Sequence, residues 1–104
     1  MEVQHNGVWG TVCDYGWDLN DAHVVCSQLG FSKANAALYD AFYGQGTGRI
    51  WLDNLNCVGT EWTIGNCSHR GWGSYYYYCS HGHDASVKCS SGTQVNTYTV
   101  QRIF

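Results

Sequence analysis

The sequence predicts a small α+β domain stapled by disulfides, on three observations. Six cysteines, Cys13, Cys26, Cys57, Cys67, Cys79 and Cys89, are spread over 104 residues with no CxxC pair. A hairpin-like segment, Glu2–Val12, turns on Asn6-Gly7, and one helix-like segment runs from Asp18 to Gly30. An even number of widely spaced cysteines in so short a chain points to disulfides and an oxidising compartment. Zinc is the rival use, but structural zinc wants ligand pairs about two to four residues apart. The tightest cysteine pairs here, Cys57/Cys67 and Cys79/Cys89, are far wider than that. A disulfide closing several tens of residues contributes about 4 kcal/mol in the chain-entropy account. That is large beside a net domain stability of about 5–15 kcal/mol.

The elements follow in order. Glu2-Val-Gln-His5 and Val8-Trp-Gly-Thr-Val12 flank Asn6-Gly7, the residue pair that supplies the two positive-φ positions of a type I′ turn. Asp18 is placed as an N-cap, with Asp21 three residues on as a variant capping box. Leu19, Ala22, Cys26 and Leu29 recur at helical spacing and turn Cys26 toward the core, and Gly30 offers the stop. Gly44-Gln-Gly-Thr-Gly48 is followed by neither Lys-Ser/Thr nor a helix, so it is not a phosphate loop. Arg49–Leu52 and Ser86–Cys89 read as short strands, and Thr60–Cys67 as a helical turn capped by Thr60. Beyond Ser90 a linker-like Ser-Ser-Gly leads into Val95–Phe104, rich in β-formers.

Composition narrows the function classes. Eight acidic residues against five basic ones leave a net charge of −3, with no basic stripe for a nucleic acid. No apolar run approaches a membrane span. Met1 leads straight into strand-like residues, so the chain reads as an excised extracellular module whose secretion signal lay elsewhere. Neither a Gly-x-Ser-x-Gly elbow nor an HExxH helix is present, and a non-enzyme is expected.

Several runs together carry a resemblance: Val8-Trp-Gly-Thr-Val-Cys-Asp14, Gly16-Trp17, Ala22-His-Val-Val-Cys26, Gln28-Leu-Gly30, Ile50-Trp-Leu-Asp53, Cys57-Val-Gly-Thr-Glu61, Gly71-Trp-Gly73 and His83-Asp-Ala-Ser-Val-Lys-Cys89. They resemble the scavenger receptor cysteine-rich (SRCR) domain over roughly residues 2–90. The resemblance implies a compact fold with a curved antiparallel sheet cradling one α-helix. It also implies the pairing Cys13–Cys79, Cys26–Cys89 and Cys57–Cys67, where the residues alone leave fifteen pairings open. Phe31 stands where eight-cysteine members carry a further cysteine, which fits the six-cysteine group A pattern.

Two departures from the family pattern shape the expectations. The family opens with a strand about a dozen residues before the position of Glu2, and that strand is missing here. Residues 1–90 are therefore read as the SRCR domain and 91–104 as a linker plus tail strand. Tyr98–Phe104 loosely resembles the absent strand and would replace it within the chain, or in a strand-swapped homodimer; a disordered remnant is the alternative. The resemblance also implies calcium, held by two adjacent aspartates and a glutamate. Here Asp14 is followed by Tyr15, and His83 stands at the glutamate position. A second site would draw on Asp53 and Asp18, with Tyr78 in place of an asparagine. Calcium prefers about six to eight oxygens, so both sites read as eroded, with weak calcium at Asp14 and Asp84 the most that is expected and no cofactor required.

The remaining candidates are aromatic and imidazole. Tyr75-Tyr-Tyr-Tyr78 beside Cys79 is expected to turn one or two rings inward and to present the rest for binding, with Tyr15, His81 and His83. His81 and His83, two apart on an extended segment, would face one side and suit a softer metal. Trp9, Trp17, Trp51, Trp62 and Trp72 are read as core or half-buried. Asn66-Cys-Ser68 has the form of a glycosylation site with a cystine in its middle. The function expected is extracellular binding of microbial, glycan or protein surfaces. The alternatives are a self-association module and a non-catalytic appendage of a larger secreted protein.

Overall fold

The computed structural model describes residues 1–91, 97–100 and 102–103. Strands β1 (Glu2–His5) and β2 (Val8–Val12) form the expected hairpin, with His5 opposite Val8. Asn6 and Gly7, at φ of 51° and 78°, make a two-residue turn whose twist matches the strands. Helix α1 (Leu19–Gln28) follows, then β3 (Lys33–Leu38) and β4 (Arg49–Leu52). Two single turns of 3₁₀ helix, Ile64–Asn66 and His81–His83, precede β5 (Ser86–Ser90). The tail adds β6 (Thr97–Thr99) and β7 (Arg102–Ile103).

The strands form two sheets. One has the order β4-β2-β1-β7 and is mixed, because β4 runs parallel to β2 and β7 parallel to β1. The other, β3-β5-β6, is antiparallel throughout. Trp51 of β4 lies across β2, where a Cβ on Gly10 would overlap its ring, so only glycine fits there. The Trp51 indole N–H donates to Val8 O at 2.8 Å, which fixes the crossing.

The helix begins as its sequence dictates. Asp18 Oδ1 accepts the Asp21 N–H at 3.1 Å, and Asp21 Oδ2 accepts the Asp18 N–H at 2.9 Å. Asp21 is wholly buried, and its other oxygen takes the Cys57 N–H at 2.8 Å, tying the cap to the Cys57–Cys67 loop. Burial pushes its carboxyl up to about 6, against the hydrogen bonds from Cys57 and Asp18. Ala22, Val24, Val25 and Cys26 carry the buried face, which packs on β3, β5 and the Ile64–Asn66 turn. Leu19 departs from the periodic reading: at the first helical position it stays exposed, and the apolar stripe starts one turn further in.

The disulfides pair as the resemblance implied: Cys13–Cys79, Cys26–Cys89 and Cys57–Cys67. Trp17 closes the core and donates to Ser86 O at 3.1 Å. Trp9 and Trp72 are half-buried, but Trp62 is 87 % exposed, contrary to expectation. The helical turn also starts later than read, after Thr63 rather than Thr60, and without a side-chain cap. Glu61 accounts for both differences. Its carboxylate accepts the Val58 and Gly59 N–H groups at 2.8 and 2.9 Å, curling this segment back on itself and leaving the next residue, Trp62, outside.

The tail strands lie against the body of the same chain. Tyr98 pairs with Cys89, and Ile103 pairs with Val3 and is fully buried. Arg102 reaches Glu2 at 3.3 Å and covers the Trp9 ring at 4.4 Å. Of the tail expected to form a strand, Val95, Asn96, Gln101 and Phe104 lie outside the described residues.

Candidate functional site

The Cys13–Cys79 disulfide joins the end of β2 to the tyrosine segment and so brings Asp14 and Tyr15 beside Tyr75–Tyr78. Beneath this junction lies Asp53, with its side chain fully buried. Asp53 Oδ2 accepts the Tyr76 N–H and the Arg70 Nε–H, each at 2.8 Å, and the Arg70 guanidinium stands 5.3 Å from the Tyr76 ring centre. Cys79 N–H closes the turn on Tyr76 O at 2.9 Å. The tyrosine segment is thus held by a covalent bond at one end and a buried carboxylate in its middle.

All of its rings face outward. Tyr75, Tyr76, Tyr77 and Tyr78 are 50, 40, 88 and 39 % exposed, and Tyr15 is 43 % exposed, so the expected inward rings are not found. The reason is conformational: the segment is a turn rather than a strand, so its side chains do not alternate between two faces. The rings instead form a contiguous ridge. Tyr77 meets Tyr76 at 4.5 Å, Tyr15 lies 5.7 Å from Tyr76 and 5.9 Å from Tyr78, and Tyr78 stacks on His83 at 4.0 Å. Desolvation, and then the hydrogen bond to Asp14, push the Tyr78 phenol up. Tyr75 stands apart and lines an open groove of about 620 Å³ with Arg49, Trp51, Ser80 and His81.

The two histidines do not act together. They sit in a 3₁₀ turn, not an extended segment, so residues two apart point in different directions. His81 Nδ1 lies 3.1 Å from Asp84 Oδ2, and its Nε2 lies 3.0 Å from Gly48 O. His83 Nδ1 lies 2.8 Å from Asp40 Oδ1 and 3.9 Å from Asp14 Oδ2.

The four aspartates considered for calcium have separate tasks. Asp18 caps the helix, Asp53 holds Arg70 and Tyr76, and Asp84 takes the Gly46 N–H at 2.7 Å beside His81. A carboxylate oxygen of Asp53 lies within 4.8 Å of the Cys13 and Cys79 sulfurs, but an oxidised cystine is no ligand. Asp14 accepts the Asp40 N–H at 2.7 Å. These residues do not fit a calcium cage, which needs more oxygens converging on one point. Asp40 and Arg70 are the participants the sequence left unmarked. Asp40 belongs to the loop after β3, and nothing in its neighbours links it to Asp14 or His83.

Residues 1–90 match the family described as scavenger receptor cysteine-rich domain. The chain belongs to the SRCR family. It is 49 % identical over 89 residues to mouse macrophage receptor MARCO and, over the same number, to human lysyl oxidase homolog 3. A Patiria pectinifera superfamily protein is 53 % identical over 90 residues. In all three the match takes in 86 % of this chain. The chain spans only 8, 12 and 16 % of the lengths of the Patiria protein, the oxidase homolog and MARCO. Among solved structures, the dimeric form of the mouse MARCO SRCR domain superposes with a TM-score of 0.78 at 50 % identity, covering 86 % of this chain and 83 % of that one. The third SRCR domain of murine neurotrypsin gives 0.73 at 40 % identity, covering 85 % and 80 %. As an SRCR domain the chain is of a kind found in receptors and secreted proteins, typically extracellular and non-catalytic.

Proposed function

We propose that this SRCR domain is an extracellular, non-enzymatic binding module that takes microbial, glycan or protein surfaces on its tyrosine ridge. The observation that carries this reading is the ridge itself: exposed phenols in ring contact, anchored by Cys79 and by Asp53 beneath Tyr76. Tyrosine offers large, rigid contact area with a hydrogen-bonding tip, and little rotamer freedom is lost on binding. Anchoring the backbone lowers that cost further. The test is a binding screen against bacteria, sulfated glycans and host glycoproteins, comparing wild type with Tyr77→Ala and Tyr76→Ala, with and without calcium. Loss of binding in the two variants supports the ridge, and binding unaltered by either sinks it.

A second reading, self-association, is favoured by the tail. Strand β7 is only two residues long, and it lies on the edge of β1 opposite β2. A strand held by so little pairing exchanges readily between copies, and the MARCO domain is described in a dimeric form. In this reading the tail serves as the first strand of the SRCR fold, within one chain or swapped. Sizing across a concentration series, for the full chain and for a truncation after Ser91, separates the two arrangements.

A further inference from the structure

The Asn66-Cys-Ser68 run plays no part in the ridge, yet the fold sets it out as an acceptor site. We propose that Asn66 carries an N-linked glycan, and that this glycan covers the exposed apolar side chains of the Cys57–Cys67 loop. The inference rests on the extracellular reading above for its secretory route, and it stands whether or not the ridge binds a ligand.

Asn-Xaa-Ser, with Xaa other than proline, is the acceptor sequence for N-glycosylation and has to lie at the surface. The cystine at the middle position does not obstruct it. Cys67 is extended, at φ −74° and ψ 153°, so its side chain and those of its two neighbours point to opposite sides. Cys67 is buried and turned in toward Cys57, while Asn66 and Ser68 are both exposed. The amide and the hydroxyl therefore share the solvent side. Neither side chain has a hydrogen-bond partner among the described residues. Both residues are held by their backbones, with Asn66 N–H donating to Thr63 O at 3.1 Å and Asn56 N–H donating to Ser68 O at 2.9 Å. Substitution at Asn66 Nδ2 thus breaks no bond of the fold.

The same disulfide loop supplies an independent observation. Val58 and Trp62 are 76 and 87 % exposed, and the backbone bonds to Glu61 that curl the loop keep Trp62 outside. Trp62 stands four residues before Asn66 in a loop closed at a sequence separation of 10. A bulky, hydrophilic oligosaccharide rooted at Asn66 shields such apolar area from other chains. The electron-rich face of an indole suits the weakly positive C–H face of a sugar ring.

In the transfer, Asn66 Nδ2 bonds to the anomeric carbon of a lipid-linked oligosaccharyl pyrophosphate. The bond from that carbon to the pyrophosphate oxygen breaks, the lipid pyrophosphate leaves with its electron pair, and Nδ2 gives up one proton. Nothing is oxidised or reduced. Disulfide formation takes seconds or longer, and a chain emerges at about 5–20 residues per second. Asn66 therefore meets the transferase while the Cys57–Cys67 bond is still open.

A bare acceptor sequence, sealed by early closure of that bond, is the competing account. The full chain is secreted from animal cells behind a cleavable signal and analysed by intact and peptide mass spectrometry, before and after treatment with peptide-N-glycosidase. One glycan is expected, at Asn66, released by the enzyme with conversion of Asn66 to aspartate. Asn66→Gln and Ser68→Ala, both at exposed positions, should be secreted without it. Release of the glycan should also increase acrylamide quenching of tryptophan fluorescence in wild type and not in Trp62→Phe. Secretion with an unmodified Asn66 leaves the extracellular reading intact and overturns this one. A glycan found only when Cys57 and Cys67 are both replaced by serine overturns it as well, and quenching unchanged by the enzyme overturns the cover over Trp62. None of these readouts depends on ligand binding at the ridge.

Discussion

Replacing Arg70 by methionine tests how the tyrosine segment is held. Methionine keeps much of the apolar stem over Tyr76 and removes the guanidinium that meets Asp53 Oδ2 at 2.8 Å. Asp53 is then a wholly buried carboxylate with one donor, the Tyr76 N–H, since its Oδ1 has no hydrogen-bond partner among the described residues. Stranding one member of a buried ion pair costs about 3–5 kcal/mol. The Arg70 side chain is 37 % exposed, so water recovers part of that, and a loss of about 2 kcal/mol is expected. Urea unfolding with linear extrapolation measures it. Because the carboxylate is buried, the loss should persist in about 1 M salt, where surface pairs are screened. Adding Asp53→Asn removes the stranded charge and keeps an acceptor for Tyr76, so the double variant should be more stable than Arg70→Met alone. A single variant within about 0.5 kcal/mol of wild type, or a double variant less stable than the single, refutes the reasoning.

Other outcomes follow from the same structure. Replacing Cys57 and Cys67 together by alanine opens a loop of sequence separation 10, which in the chain-entropy account costs about 3 kcal/mol; calorimetry reads the fall in melting temperature. Gly10→Ala sets a methyl group against the Trp51 ring and should cost about 1–3 kcal/mol, seen in urea unfolding and as a perturbed Trp51 fluorescence. The pH dependence of stability should carry the signature of Asp21, raised from 3.8 to about 6 by burial. Between those values the folded state holds a proton that the unfolded chain has released, so this group destabilises the fold as pH rises through that window, by at most about 3 kcal/mol. Burial and His5 lower His69, whose contribution runs the other way: stability is lost on acidification below its ordinary value of 6.5. The diagnostic quantity is therefore the difference in slope between wild type and Asp21→Asn, and identical profiles from pH 4 to 6 would refute the assignment.

How far the chain could be read in advance depended on the range of each interaction. The Asn6-Gly7 turn and the Asp18/Asp21 cap are decided within a few residues, and both are found as read. Thr60 was misplaced as a cap because a competitor one residue away, Glu61, captures the local N–H groups first. Trp62 was misread for the same reason, since composition assigns tryptophan to the core without knowing which way its loop curls. The one or two inward rings expected of Tyr75–Tyr78 are not found because the buried Asp53, from another part of the chain, holds Tyr76 in a turn.

By itself the sequence determined the helix, the hairpin and, through its cysteine and tryptophan–glycine pattern, the SRCR family. Those properties rest on covalent chemistry and on contacts within a turn or two, which residue order states directly. Tertiary structure alone decided that every tyrosine from 75 to 78 faces outward, that His81 and His83 part company, and that Asp40 meets His83 at 2.8 Å. Asp40 and His83 lie 43 positions apart on different loops. What brings them together is the placement of both loops by the sheets and the Cys13–Cys79 bond, and no local pattern in the chain encodes it.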